Sequence, residues 1–151
     1  MNLTRREALR LSAGAAILAF AASRAGPALA GPAETEKAMA EFTGGASPAT
    51  GRITLTAPEI AENGNTVPVS VFVESPMTDE DHVTEVTILA EGNPNPGVAT
   101  FHFTPMSGDA TATTRMRLAK TQNVIAIAKM SDGSVFMDKK EVKVTIGGCG
   151  G

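Results

Sequence analysis

Val67-Pro68-Val69-Ser70-Val71-Phe72-Val73-Glu74 places a valine at every second position through four repeats. Successive side chains of a strand point to opposite faces, so the stretch reads as a β-strand with one valine-lined face turned towards a core. β-Branched residues suit the pleated surface and are restricted in a helix. Pro68 cannot donate to a ladder, which predicts an edge position or a bulge at that point.

The same alternation extends to both sides of this stretch. Ile53, Leu55 and Ala57 alternate with Arg52, Thr54 and Thr56, and Val86 and Ile88 with Glu85 and Thr87. Phe101 and Phe103 alternate with Thr100 and His102, and Ala112, Thr114, Met116 and Leu118 with Thr113, Arg115 and Arg117. Val124 to Met130 is more evenly apolar and predicts a strand buried on both faces. Turn signals separate the runs at Glu62-Asn63-Gly64-Asn65, Asn93-Pro94-Asn95-Pro96-Gly97, Met106-Ser107-Gly108-Asp109 and Ser131-Asp132-Gly133-Ser134. About seven short strands, none with helical period, predict an all-β, immunoglobulin-like antiparallel β-sandwich. With no Trp, no Tyr and no cysteine pair, another all-β sandwich or barrel stays open.

Ahead of the strands, Pro32 to Phe42 is rich in helix formers and ends at Gly44-Gly45. The expected order is a signal peptide over 1–30, a short N-terminal helix and linker over 31–50, a β-sandwich over 51–146 and a C-terminal arm over 147–151. The leader reading rests on Thr4-Arg5-Arg6-Glu7-Ala8-Leu9-Arg10, an apolar stretch from Leu11 to Ala22, and Ala28-Leu29-Ala30 as an Ala-x-Ala cleavage site. It predicts twin-arginine export to the periplasm and cleavage after Ala30. The apolar stretch falls short of the roughly 20 residues that span a bilayer. Cleavage removes four of the 13 basic residues and one of the 16 acidic ones, leaving 9 against 15 and a net charge of -6. Such a surface argues against nucleic acid and anionic membranes as partners.

The final strand, Lys139 to Ile146, turns Val142, Val144 and Ile146 to one face and Lys139, Glu141, Lys143 and Thr145 to the other, so it is expected to be core-anchored as far as Ile146. There follows Gly147-Gly148-Cys149-Gly150-Gly151, which holds the single cysteine of the chain. Cysteine is among the most buried residue types, so placing one between paired glycines, which carry no Cβ, reads as a thiol meant to be reached. From Ile146 to Cys149 the chain can extend roughly 10 Å. In an oxidising compartment an unpaired thiol takes an adduct or an intermolecular disulfide.

Other constellations carry less. A blue-copper site would need a histidine and an axial ligand shortly after the cysteine, where here only glycines stand, and no cofactor or metal site is expected. His82 and His102 read as surface histidines, Asp79-Glu80-Asp81 as a solvated turn without calcium-loop spacing, and the methionines of the β region as core fillers or a partner surface. Lys139, Lys140 and Lys143 could attract an anion but read first as solvated edge charges. A peroxidatic or disulfide-exchange enzyme would normally need a resolving cysteine, which is missing.

The ending Val142-Lys143-Val144-Thr145-Ile146-Gly147-Gly148-Cys149-Gly150-Gly151, after a twin-arginine leader and a small all-β domain, closely resembles the SoxY family of periplasmic sulfur carriers. The resemblance implies a carrier and not an enzyme. Cys149 would be the covalent attachment site, with Gly147, Gly148, Gly150 and Gly151 as a flexible arm. It also implies a SoxZ-like β-sandwich partner, a haem cytochrome that joins thiosulfate to the thiol, a hydrolase that releases sulfate and, in many hosts, a sulfane dehydrogenase. The rival reading is a structural or interaction sandwich whose Cys149 forms an intermolecular disulfide.

Overall fold

The computed structural model describes residues 31–147 of the 151-residue chain. These form one α-helix, α1 (Pro32–Thr43), and eight strands: β1 (Ile53–Thr56), β2 (Ile60–Asn63), β3 (Val67–Val73), β4 (Val83–Ala90), β5 (Gly97–His102), β6 (Ala110–Met116), β7 (Gln122–Met130) and β8 (Val135–Ile146). A 3-10 turn, Pro105–Ser107, joins β5 to β6. The strands lie in two sheets, ordered β1-β3-β6 and β2-β8-β7-β4-β5. The expected all-β sandwich with a short N-terminal helix is the observed architecture.

The valine stretch is β3, the middle strand of the smaller sheet, with Val67, Val69, Val71 and Val73 all buried and Pro68 and Phe72 exposed. Pro68 is tolerated because β1 pairs only from Ser70 to Val73, leaving β3 open on that side at Pro68. The inner face of the larger sheet supplies Val86, Ile88, Val124, Ala126 and Val142, which pack against the valines together with Leu55 and Leu118.

β7 is buried on both faces, as its even apolarity predicts. Val124, Ala126 and Ala128 point into the sandwich. Ile125 and Ile127 point outwards, where with Leu89 and Val135 they are covered by Ala38, Met39 and Phe42 of α1. Pro32 opens the helix and Gly44, in the left-handed region at φ 65°, closes it. Lys129 lays its ammonium 4.8 Å from the centre of the Phe42 ring and reaches Glu85 at 3.6 Å, pinning the end of the helix to the sheet.

One strand lies outside the sequence-based expectation. β2 pairs in parallel with β8, Ile60 opposite Lys143 and Ala61 opposite Val144, so the larger sheet is mixed and the strands number eight instead of about seven. At four residues, with Ile60 exposed and Ala61 buried, it offers little period to detect.

The β1 edge is closed by a charge. Leu55 donates its N–H to Asp138 Oδ2 at 2.8 Å, and the other Asp138 oxygen accepts the N–H of Lys139 at 2.8 Å. Inward-turned charges of this kind cap strand edges that would otherwise pair with another chain. Asp138→Ala leaves the Leu55 amide unpaired beside the core, and urea titration is expected to show a loss of about 1–3 kcal/mol. Asp138→Asn keeps an acceptor and should recover most of it; equal losses in the two variants would contradict this role. At the β7–β8 turn, Asp132 accepts both the Ser134 hydroxyl and its N–H, and these bonds hold its carboxyl below the usual carboxylate range.

Candidate functional site: the root of the cysteine segment

β8 carries the chain to Gly147, and its last residues are gripped from both sides. On one side Lys143 donates its N–H to the Glu59 carbonyl at 2.9 Å, and the Ile146 carbonyl accepts the N–H of Gly64 at 2.8 Å. On the other, Val144 donates its N–H to Thr121 Oγ1 at 2.9 Å. Val142 is fully buried and Val144 half-buried, but Ile146 is 67% exposed. The expected side-chain anchoring therefore stops at Val144, and the backbone bond to Gly64 is what holds Ile146.

Gly147 passes so close to the Ala119 carbonyl that any Cβ at this position would collide with it. Glycine is required there for this close approach. The wall it passes is rigid. Asn93 Oδ1 accepts the Ala119 N–H at 3.1 Å and Gln122 Nε2 at 2.9 Å, while Asn93 Nδ2 donates to the Arg117 carbonyl at 2.7 Å. Gly92 donates its N–H to Gln122 Oε1 at 2.7 Å, and Leu118 donates to the Gly64 carbonyl at 2.8 Å. Three loops are thus locked together where β8 ends. Gly147→Ala forces this contact apart and is expected to cost about 1 kcal/mol or more by urea titration, with shifted amide resonances from Leu118 to Lys120. Unchanged resonances there would show that the contact does not form.

Cys149, Gly148, Gly150 and Gly151 lie outside the described residues. Of the remaining candidates, Lys139, Lys140 and Lys143 are exposed on β8. His102 lies 3.1 Å from Glu85, and His82 Nδ1 lies 3.0 Å from the Thr78 carbonyl. The acidic turn is tied down by Asp81, which pairs with Arg52 at 2.9 Å. Met77, Met116 and Met130 are core residues, whereas Met106 is 96% exposed. Among the described residues no three His, Cys, Asp or Glu side chains come together as a metal site. Sequence reasoning missed the Asn93 bracket, whose only signal is its place in an Asn-Pro-Asn-Pro turn.

By fold the chain belongs with small two-sheet sandwiches that other proteins use for other chemistry. It is similar to a superoxide reductase (neelaredoxin) from Ignicoccus hospitalis, at 24% identity and a TM-score of 0.56, over 63% of this chain and 81% of that one. It is similar also to the superoxide reductase from Nanoarchaeum equitans, at 14% identity and a TM-score of 0.54, over 63% and 99%. These two likenesses are ones of fold alone. The structure of the sulfur carrier protein SoxY from Chlorobium limicola f thiosulfatophilum aligns with 34% identity and a TM-score of 0.62, over 76% of this chain and 98% of that one. The family model for the sulfur oxidation protein SoxY matches residues 39–149. The chain belongs to the SoxY family. Among curated proteins none matches it.

Proposed function

We propose that this protein is a periplasmic carrier that holds thiosulfate-derived sulfur covalently on Cys149 and presents it to the enzymes of sulfur oxidation. The observation that carries the reading is that the only cysteine of a SoxY-family chain is the last residue of the matched segment, two residues beyond the pinned root at Gly147. A thiolate can join the outer sulfur of thiosulfate when an electron pair is withdrawn, leaving a Cys–S–S–sulfonate. Water can then release sulfate and leave a persulfide, which a further oxidation can clear. Each step asks of this chain only a sulfur atom that other active sites can reach.

Catalysis on this reading resides in the clients: a haem cytochrome, a sulfate-releasing hydrolase and, where present, a sulfane dehydrogenase. A SoxZ-like sandwich is the expected partner. Export by the twin-arginine route with cleavage after Ala30 places α1, which starts at Pro32, near the start of the mature chain. Glycines on both sides of Cys149 present a narrow profile to a client channel, since none carries a side chain.

Intact-mass measurement on protein purified from the native periplasm tests the reading. Monomers heavier by sulfur or sulfonate units are expected. A population made up solely of disulfide dimers would favour the rival module in which Cys149 is a covalent staple.

A further inference from the structure

We propose that a cleft beside the root of the cysteine segment is a non-covalent binding site for a small sulfur oxyanion of the thiosulfate class. The cleft has a volume of about 300 Å³ and opens between the free edges of the two sheets, with Val98 of β5 on one side and Arg115 and Met116 of β6 on the other. Arg117 and Ala119 complete the wall on the side of Gly147. Ala119 is the residue whose carbonyl meets Gly147. The site and the tether therefore share one wall, and two further residues from Gly147 give a reach of about 7 Å to Cys149.

Its chemistry is that of an anion site. Arg115 and Arg117 are both exposed, neither is ion-paired among the described residues, and the lining holds no carboxylate. Guanidinium groups present paired donors that match the oxygens of a sulfonate or sulfate. The Asn95 side chain accepts the Gly97 N–H at 3.2 Å, which leaves its amide nitrogen without a protein acceptor among the described residues. Half-buried Val98 adds apolar surface that suits the outer sulfur of thiosulfate. The hydrogen bonds of Asn93 to Ala119 and to the Arg117 carbonyl hold the wall in place. A mature chain of net charge -6 would repel a dianion as a whole, so a local pair of arginines is what would bring it to the thiol.

The choice of a sulfur oxyanion rests on the carrier reading, but the anion site does not. The test uses full-length mature protein carrying Cys149→Ser, so that nothing can load covalently. Sodium thiosulfate is titrated while amide and arginine side-chain NMR signals are followed, with sodium chloride at matched ionic strength as the control. Saturable shifts at Asn95, Val98, Arg115 and Arg117 are expected. They should weaken at least about tenfold in the variant that also carries Arg115→Gln and Arg117→Gln, both exposed positions. Sulfate, which lacks the soft outer sulfur, should bind more weakly. Shifts that sodium chloride reproduces, or binding that survives the double replacement, would overturn the site; sulfate binding as tight as thiosulfate would overturn the ligand class. None of these outcomes bears on adduct formation at Cys149, which intact mass reads separately.

Discussion

Cys149→Ser protein is expected to support no thiosulfate oxidation above the level seen without carrier, in a system reconstituted from the client enzymes and the partner subunit. A serine hydroxyl is not appreciably ionised at neutral pH and offers no sulfur for an S–S bond, so no adduct forms and each later enzyme is left without a substrate. The replacement should leave the fold untouched. The described core is complete without residue 149, from the valines of β3 to Val142 of β8, and a urea titration should match that of the unaltered protein. Wild-type turnover by the serine protein would make Cys149 dispensable and remove the basis for the carrier reading.

Leu118→Ala is expected to produce the largest loss of stability. Leu118 is fully buried, belongs to the core between the sheets and donates its N–H to the Gly64 carbonyl, the residue whose own N–H holds Ile146. Removing the side chain gives up its transfer free energy and leaves a cavity that loops locked by Asn93 cannot easily fill. The cost should be about 2–5 kcal/mol, seen as a fall in Tm of roughly 10 °C or more. Well below that transition the variant should still take up sulfur on Cys149, because the thiol itself is unchanged. A loss below about 1 kcal/mol would mean that the core closes over the gap and that Leu118 is not the keystone of this end of the sandwich.

The β elements were legible wherever one face of a strand is covered and the other is not. Val67 to Val73 is the clearest case, because burial on one side only writes itself as period two. Val124 to Met130 was legible for the opposite reason: α1 covers the outer face of β7, and the alternation vanishes with the solvent. β2 left no such trace. Its four residues gain their strand conformation from a parallel partner far along the chain, and neither the partner nor the direction is encoded locally. Parity also misled at Ile146, which shares the inward phase of Val142 and Val144 but lies beyond the cover of the opposite sheet.

The candidate site divides in the same way. The thiol and its glycines stand in the sequence as a contiguous motif, so the proposed covalent attachment rests on the sequence and not on the structure. What shapes the root is assembled from distant segments: Asn93 and Gln122 bracketing Ala119, Gly64 holding Ile146, and Gly147 held against the Ala119 carbonyl. Arg115 and Arg117 read in the sequence as the polar phase of a strand, and only the gap between β5 and β6 sets them in a cleft that shares Ala119 with Gly147.

The most direct test is the mass of the peptide Val144–Gly151, released by cleavage after Lys143, from protein treated with thiosulfate in the presence and absence of the haem cytochrome. The account predicts that this peptide gains one sulfur plus one sulfonate only when the cytochrome is present, and that the hydrolase then trims it to a persulfide. A Val144–Gly151 peptide that stays unmodified, or is recovered only as a disulfide with its own copy, would contradict it.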